Sequence, residues 1–546
     1  MDALPWNTIP RMLRSQALEA PDAVAVSDQG TTLTFSDLYA DSLLVARALQ
    51  AVGVQRGDRV GIWAPNCAPW VVTAFGIWAA GAVVVPLSTR FKGIEAGDLL
   101  RRTAVRVLFA AEGFLGASYV GFLSERYGQP KDGRPFQDLE ALELVVTLDP
   151  AGPRDGVVDL ATFTEQADKV SDADARADSV APEDLCEVLS TSGTTGLPKG
   201  VMLEHHQMLR AYWDWSQIAG LSPGDRYPIV SPFAHGFGIN AGILACAMRQ
   251  ATMVPVSVFD PDAALDLVES ERVSLLAGPP NLFSRIVHHP DLPRRDVSSL
   301  RIAIVGAAEV PEQLVHEMSE RLGLERIVNA YGLIEGSVVT MTRPEDSVAV
   351  VSTTAGRPVP GVELRIVDDR GSTQPPGERG EILVRGYGVT RGYWDSPEQT
   401  REALGDGWLR TGDVGVVNEQ GNLSIVGRKK DMFIAGGFNA YPAEIENLLL
   451  RHPDLAQAAV IPVPHDELGE VGWAFVVPES GADPTPEALI AWARQNMSNY
   501  KVPRRVIVVP ELPHNANGKI DKTALRQQLA DVDPTEAALN PLGDRS

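Results

Sequence analysis

The sequence predicts an α/β fold with a large N-terminal domain of stacked α/β subdomains and a small C-terminal α/β region. Three observations support this class. Strand and helix patterns alternate from residue 23 to residue 110, as in a parallel sheet covered by helices. A compact strand, turn and helix unit spans residues 301–323, with proline in the first helical turn and glycine after the end. Another α/β pattern occupies residues 432–530, behind a polar boundary at 427–431.

Length and composition indicate a large globular protein. The chain has 546 residues, of which 44% are hydrophobic, enough for three or four domain-sized units. Its net charge of -23 is spread along the chain without a basic stripe, which argues against nucleic acid or anionic membranes as the main partner. The three cysteines form no CxxC pair, so we expect neither disulfides nor cysteine metal sites, and a cytoplasmic location.

The first region contains an amphipathic helix from Phe35 to Leu49, followed by a strand at 59–62. The next stretch, residues 70–87, is uncharged and long enough to raise the question of a membrane span. Two glycines and a proline interrupt it, so we expect a buried helix at 70–80 and a buried strand at 82–85 instead. Residues 1–14 lack the apolar core of a secretion signal, and we expect the chain to stay in the cell.

The remaining segments complete the domain prediction. Residues 127–184 are polar and rich in proline and glycine, which indicates a connector and surface excursion. A strand at 327–330 is expected to deliver a Tyr331-Gly332 turn, and strands at 362–367 and 380–385 indicate a smaller, mainly β segment. The predicted parts are an N-terminal domain (1–427), a hinge (428–431), a C-terminal domain (432–530) and a frayed tail (531–546).

The stretch from Ser190 to Gly200 has the composition of a polyanion cradle. Small residues let backbone N–H groups approach phosphate oxygens, while hydroxyls and one lysine add donors. No Gly-Lys-Ser/Thr step opens a helix here, so this is not a Walker loop. Apolar residues on both sides predict a loop between two short strands, at 185–189 and 201–203. The predicted phosphate-binding residues are Thr191, Ser192, Gly193, Thr194, Thr195, Gly196 and Lys199.

Taken whole, this stretch resembles the phosphate-binding signature of the adenylate-forming enzymes, a superfamily of acyl-CoA synthetases, peptide-synthetase adenylation domains and luciferases. The resemblance covers about residues 5–530 through several separate motifs and is most like bacterial acyl-CoA ligases. It implies ATP, Mg²⁺ and coenzyme A as cofactors and a mobile C-terminal lid. It also implies two chemical steps, formation of an acyl-adenylate and then of a thioester.

The resemblance assigns roles to individual residues. Lys519, on a glycine turn, resembles the family's catalytic lysine, and Lys199 and Glu335 are the other predicted catalytic residues. Glu335 and Thr194 are the predicted Mg²⁺ ligands. Asp413 suits a ribose clamp, although a turn-capping role is the alternative from the residues alone. The residues predicted to surround the nucleoside are Gly306, Ala307, Ala308, Tyr331, Gly332, Asp413 and Arg428.

The carboxylic acid is expected to bind along residues 231–240. No Asp or Glu occurs between residues 229 and 259, so nothing there would pair with an α-ammonium group, and an apolar acid is favoured over an amino acid. His235 would either gate the pocket or simply pack in the core. Residues 110–116 and 242–246 resemble an actinobacterial branch acting on acids from steroid-ring breakdown. The predicted acid-binding residues are Phe233, His235, Gly236, Phe237, Ile239, Gly332 and Val338.

The predicted function is therefore ATP-dependent ligation of a fatty or steroid-derived acid to CoA, by a possible homodimer. Gly436 and Gly437 would leave room for the pantetheine arm of CoA, which disfavours the alternative of loading a separate carrier protein. One departure supports a second alternative, a catalytically weak adenylate- or acyl-binding protein. The family motif Tyr-Gly-x-Thr-Glu has Ile334 at the threonine position, so a hydroxyl near the phosphates is absent. Water or the hydroxyls of Thr194 and Thr195 would substitute for it, or adenylation is impaired.

Overall fold

The computed structural model of the protein contains two compact units. The larger comprises residues 1–89, 93–191 and 199–429, and the smaller consists mainly of residues 430–546. No helix among the described residues has the length and apolar character required to cross a bilayer. The described residues are 4–129, 134–149, 156–170, 173–191, 199–306, 310, 312–368, 370–428, 433–440, 442–465, 467–479, 481–513, 520 and 522–530.

The larger unit begins with a seven-stranded sheet and its covering helices. The elements in chain order are α1 Ile9–Glu19, β1 Val24–Asp28, β2 Thr31–Thr34, α2 Phe35–Ala51, β3 Arg59–Trp63, α3 Ala68–Ala79, β4 Val83–Pro86, α4 Gly93–Arg102, β5 Val105–Ala110, α5 Tyr119–Tyr127, β6 Leu144–Thr147, β7 Val157–Asp159, α6 Leu160–Thr164, α7 Ala173–Asp178, β8 Leu185–Thr191 and β9 Lys199–Glu204. The strand order is β7-β6-β5-β3-β4-β8-β9. All neighbours are parallel except β8 and β9, so the sheet ends in an antiparallel hairpin.

A second set of elements adds two further sheets. Its members are α8 His205–Ala219, β10 Arg226–Ile229, a π-helical segment Phe237–Leu244, α9 Ala245–Arg249, β11 Thr252–Pro255, α10 Pro261–Ser270, β12 Leu275–Gly278, α11 Pro280–Val287, β13 Ile302–Gly306, α12 Glu312–Leu322, β14 Arg326–Leu333, β15 Ser337–Met341, α13 Val348–Thr353 and β16 Arg357–Pro358. One sheet has the order β12-β13-β14-β15-β16 and the other the order β10-β11-β1-β2. The first is parallel up to β14 and antiparallel beyond it.

The larger unit ends in a small antiparallel sheet of four strands, β17-β18-β19-β20. Its elements are β17 Val362–Val367, β18 Arg379–Gly386, α14 Pro397–Ala403, β19 Leu409–Val417 and β20 Leu423–Arg428. The predicted α/β class and the mainly β segment are therefore confirmed.

The smaller unit is a mixed sheet with helices. Its elements are β21 Phe433–Ala435, β22 Phe438–Ala440, α15 Pro442–Leu449, β23 Leu455–His465, β24 Gly469–Pro478, α16 Pro486–Asn496, β25 Arg505–Val508 and α17 Lys522–Ala530. The order is β22-β21-β24-β23, with β25 parallel to β24. Short 3₁₀ turns elsewhere in the chain are Phe114–Gly116, Glu165–Lys169, Leu292–Arg294, Gly405–Gly407 and Asn499–Lys501.

The uncharged stretch at 70–87 forms the expected buried helix and strand, α3 and β4. A glycine fixes the approach of α3 to α2, because a Cβ at Gly76 would lie 2.6 Å from the Cβ of Val45. Cys186 and Cys246 are also fully buried in this unit, Cys67 is partly buried, and all three are free thiols. Helix α3 therefore belongs to the core and not to a membrane span.

The interpretation of residues 127–184 as a connector is wrong. Strands β6 and β7 extend the seven-stranded sheet, and Val145 and Val146 are completely buried in it. These strands are only four and three residues long. Their pairing depends on β5, a distant partner, so the polar flanks dominated the local sequence pattern.

Candidate functional site

The predicted phosphate loop connects β8 to β9, as expected. The two strands pair antiparallel, and Thr191 lies directly opposite Lys199 at the end of the hairpin. Both residues are therefore positioned at the base of the loop by the backbone pairing of the sheet. Ser192, Gly193, Thr194, Thr195 and Gly196 lie outside the described residues.

Lys199 and Glu335 come together through a tyrosine that sequence analysis missed. The Nζ of Lys199 lies 4.5 Å from the centre of the Tyr393 ring, and the Tyr393 hydroxyl donates a hydrogen bond of 3.1 Å to Glu335 Oε1. The backbone holds Tyr393 beside β9, because the N–H of Trp394 donates to the carbonyl of Gly200. Burial, reinforced by the Glu335 carboxylate, raises the pKa of Tyr393, so its phenol remains a donor.

Glu335 is placed by the tight turn between β14 and β15. Tyr331 and Gly332 belong to β14, so the expected turn at these residues is wrong and the turn follows at 334–336. Gly332 pairs with Val338, and a Cβ at Gly332 would lie 2.4 Å from the Ser337 carbonyl oxygen. The hairpin therefore requires glycine here, and it brings two of the predicted acid-binding residues side by side.

Tyr331 and Asp413 are joined directly. The Tyr331 hydroxyl donates to Asp413 Oδ2 at 2.6 Å, and Asp413 is only 4% exposed. Asp413 lies inside β19, opposite Arg428 of β20, and not in a turn as the capping alternative required. The pairing gives the position of the Arg428 backbone, while its side chain falls outside the described part.

Gly306 closes β13 next to Ala330 of β14, beside the strand that carries Tyr331. A Cβ at Gly306 would lie 2.9 Å from the Ala330 carbonyl oxygen, so the two backbones approach closely. The following Ala307 and Ala308, and also Lys519, lie outside the described residues.

The start of the predicted acid-binding segment is held by Asn66, another residue that sequence analysis missed. Its amide nitrogen donates to the carbonyls of Ile229 and Ser231, at 2.8 and 2.9 Å, and its oxygen accepts from the N–H of Phe233 at 2.8 Å. One buried side chain thus fixes three backbone groups of the segment. The partners lie more than 160 residues away, so no local pattern indicates them.

The predicted acid-binding residues differ in accessibility. Phe233 is 1% exposed and its ring lies 5.1 Å from that of Trp70, and Ile239 is fully buried. Phe237 is partly exposed and packs edge-on against Trp215. His235 is exposed, and its Nδ1 accepts a hydrogen bond from the Phe237 N–H. Packing in the core, one of the two alternatives for His235, is therefore not observed.

Ile334, the departure from the family motif, lies next to the acid-binding segment. A Cβ at Gly236 would be 3.7 Å from Ile334 Cγ1 and 3.4 Å from Leu189 Cδ1. The side chain at position 334 therefore faces an apolar neighbourhood between the phosphate-loop hairpin and residue 236.

In the smaller unit, Gly436 and Gly437 form the two-residue turn of the β21–β22 hairpin. Ala435 pairs with Phe438, and the glycines have φ values of 58° and 81°. A turn of this kind requires positive φ at both positions, so the backbone conformation alone explains why both residues are glycine. Their contact with CoA stays a prediction.

One group of potential metal ligands occurs among the described residues, at a distance in sequence from the predicted Mg²⁺ site. Ligand atoms of Asp262, His289 and Asp291 lie within 4.8 Å of one another at the surface. Glu335 is not part of it, and the predicted partner Thr194 lies outside the described residues.

Comparison with known proteins assigns the chain to a family. Residues 13–394 match the AMP-binding enzyme family and residues 444–519 match the AMP-binding enzyme C-terminal domain. A 3-(7a-methyl-1,5-dioxo-octahydro-1H-inden-4-yl)propanoyl:CoA ligase from Rhodococcus jostii is 42% identical over 525 residues, covering 96% of this chain and 99% of that protein. Its namesake from Mycobacterium tuberculosis is 44% identical over 525 residues, covering 95% and 99%.

A solved structure supports the same assignment. The amide bond synthetase McbA from Marinactinospora thermotolerans has a TM-score of 0.79 and 30% identity, covering 95% of this chain and 99% of that one. The match therefore includes both the large N-terminal and the small C-terminal part. The chain belongs to the AMP-binding enzyme family of adenylate-forming enzymes and is an ATP-dependent acid:CoA ligase.

Proposed function

We propose that this ligase activates an apolar, polycyclic acid with a propanoate side chain, of the kind left when steroid rings are degraded. The observation that carries the proposal is the 42% and 44% identity, over nearly the whole chain, to two ligases named for such an acid. The reaction would form the acyl-adenylate from ATP and then the CoA thioester.

The chemistry of the acid-binding segment supports an uncharged, bulky acyl group. Residues 229–259 contain no Asp or Glu, and the side chains of Phe237 and Ile334 provide apolar surface beside Gly236. Burying a positively charged substituent here would leave that charge without an acidic partner in this segment. Oxygen atoms on the acyl rings need only hydrogen-bond donors, and His235 and backbone N–H groups are candidates.

The nucleotide-side residues support the adenylation step. Lys199 would neutralise charge on the phosphates as pyrophosphate leaves, and Asp413, ordered by Tyr331, would accept from the ribose hydroxyls. Glu335 and Thr194 offer the oxygen ligands that Mg²⁺ prefers, and the ion would neutralise phosphate oxygens when bound. Lys519 would bridge the acid and the α-phosphate.

The domain roles, assembly and location remain part of the proposal. Residues 432–530 would act as a lid turning about the hinge at 428–431, first presenting Lys519 and then the Gly436-Gly437 turn for the thiol step. The enzyme would work in the cytoplasm, as a homodimer, in lipid breakdown.

The experiment is pyrophosphate release by the purified protein with ATP and Mg²⁺, tested with fatty, aryl and polycyclic propanoic acids, with and without CoA. We expect release with the polycyclic acid, faster turnover with CoA, and loss of both in Lys519→Ala. Lys169→Ala, at an exposed lysine, is the matched control. Preference for a linear fatty acid would overturn the substrate class. Binding of ATP without release from any acid would instead favour an adenylate-binding protein.

A further inference from the structure

A buried acid–amide pair joins the strand that enters the phosphate loop to the acid-binding segment. Glu187 lies in β8 and is 0% exposed, while Asn240 lies in the π-helical segment and is 1% exposed. Asn240 Nδ2 donates to Glu187 Oε2 at 3.2 Å. Because π-helical turns are rare and recur at functional sites, the contact that holds this one is a candidate for a functional role.

The two atoms left over in this pair are complementary to each other. Within the described structure, neither Glu187 Oε1 nor Asn240 Oδ1 has a hydrogen-bond partner, although both are buried. A neutral carboxylic acid and a primary amide can form two bonds, because the acid hydroxyl donates to the amide oxygen while the amide N–H donates to the acid carbonyl. An ionised carboxylate has no proton to donate, so the amide oxygen would stay without a partner.

The surroundings of Glu187 favour its neutral form. No ion pair reaches it from the described residues, and burial, opposed only by the Asn240 bond, raises the pKa of Glu187 to about 8. Its titratable neighbours are Tyr212 of α8 and Cys186 of β8, both kept uncharged because burial raises their pKa values. Glu204 of β9 acts on Cys186, while β4 and the π-helical segment carry no titratable side chain.

We propose that Glu187, as a neutral carboxylic acid, and Asn240 form a positioning pair that fixes the π-helical segment against β8 and thereby sets the substrate acid relative to Thr191 at the end of that strand. Neither residue is a catalytic residue. The inference rests on the proposed function in that the segment it positions is the one proposed to bind the acid.

Glutamine at position 187 is the decisive substitution, since its amide reproduces the hydrogen bonds of the neutral Glu187 carboxylic acid. In Glu187→Gln the amide oxygen accepts from Asn240 and the amide N–H donates to Asn240 Oδ1, without a titrating group. We expect Glu187→Gln to keep kcat, the KM for the substrate acid and the KM for ATP within about 3-fold of the parent near pH 7. Glu187→Ala and Asn240→Leu should raise the KM for the acid about 10-fold or more, with a smaller change in the KM for ATP.

The pH profile separates positioning from a merely structural role. As pH rises through about 8, the parent enzyme should lose acid affinity as Glu187 ionises, while Glu187→Gln should not. Glu183→Gln, the same change at an exposed position, is the matched control and should follow the parent. Superimposable parent and Glu187→Gln profiles, or a Glu187→Gln enzyme as impaired as Glu187→Ala near pH 7, would overturn the proposal.

Two measurements test the pair even if no acid is turned over. The infrared band of a protonated carboxyl should be present near pH 7, vanish at high pH, and be absent from Glu187→Gln. Since the unfolded glutamate titrates near about 4.3, the folded state carries the extra proton between that value and 8, and stability should fall as pH rises across this window. A Glu187→Gln protein with the same pH dependence of unfolding, or no such band, would refute the neutral acid independently of the ligase reaction.

Discussion

The proposed nucleotide side and the proposed acid side of the candidate site are held by different interactions. On the nucleotide side, tyrosine hydroxyls donate hydrogen bonds to carboxylates. Tyr331 donates to Asp413, and Tyr393 donates to Glu335. On the acid side, the buried amides of Asn66 and Asn240 fix backbone and neighbouring strands. In the proposed function the first arrangement exchanges its partners for phosphate, ribose and metal, whereas the second is completed when the chain folds. The difference predicts that nucleotide-side variants mainly impair catalysis and acid-side variants mainly impair stability and acid affinity.

The largest expected effect is at Lys199. Lys199→Ala removes the cation beside the phosphate loop, and we expect the rate of acid-dependent pyrophosphate release to fall about 100-fold or more with little change in unfolding. Lys199→Arg should retain part of the activity because the charge remains. A rate within a few fold of the parent would show that the phosphates do not depend on this side of the site.

Asn66→Ala tests the acid side. It leaves the Phe233 N–H and two carbonyls without their partner, so the free energy of unfolding should fall by about 2–4 kcal/mol, measured by urea denaturation. Surviving folded protein should show a higher KM for the acid and a nearly unchanged KM for ATP. Asn7→Ala, at an exposed asparagine, is the control. An equal loss of unfolding free energy in Asn66→Ala and Asn7→Ala would remove the distinction between the two sides.

Tyr331→Phe tests the nucleotide side and has a matched control variant, Tyr387→Phe. It removes one hydrogen bond to Asp413, and we expect the KM for ATP to rise about 3- to 10-fold. Tyr387→Phe removes an equivalent bond, of 2.7 Å to Asp214, elsewhere in the larger unit. The second variant should lower stability while leaving the KM for ATP unchanged. If both variants shift the KM for ATP equally, Asp413 is not being positioned for the nucleotide.

The smallest effect is expected for Ile334→Thr. The side chain at 334 lies beside Gly236, and threonine keeps its branched shape, so pyrophosphate release should change by no more than about 3-fold. The KM for an apolar acid should rise slightly because a hydroxyl replaces the ethyl branch of isoleucine. A gain of about 10-fold or more in the adenylation rate would show instead that the isoleucine impairs the phosphate side.

The parts of the fold that could be predicted were those with a strong local pattern. The buried helix and strand at 70–87, strand β13 with helix α12, and the paired strands β8 and β9 follow from apolar runs bounded by glycine and proline. Strands β6 and β7 could not be predicted, because short strands gain their stability from a distant neighbour. Tyr331 and Gly332 were expected in a turn because nothing local revealed that β14 continues to pair with β15.

The site was predictable only where the motifs lie. Asn66 and Tyr393 act through partners remote in sequence, and their own surroundings give no sign of it. Glu187 did leave a signal: it is a single charged residue within the apolar run 185–189. A charge in a strand otherwise suited to the core indicates a paired or neutral group, so such residues should be examined before the structure is known.

The buried thiols have a practical consequence for measuring the enzyme. Burial keeps the pKa of Cys186 and Cys246 well above the ordinary thiol value and raises the pKa of Cys67 to about 12. Disulfide-exchange dyes react with thiolates, which these three side chains do not supply at neutral pH. We therefore expect a chromogenic thiol reagent added to a working reaction to report mainly the free coenzyme, with any contribution from the protein limited to the partly buried Cys67.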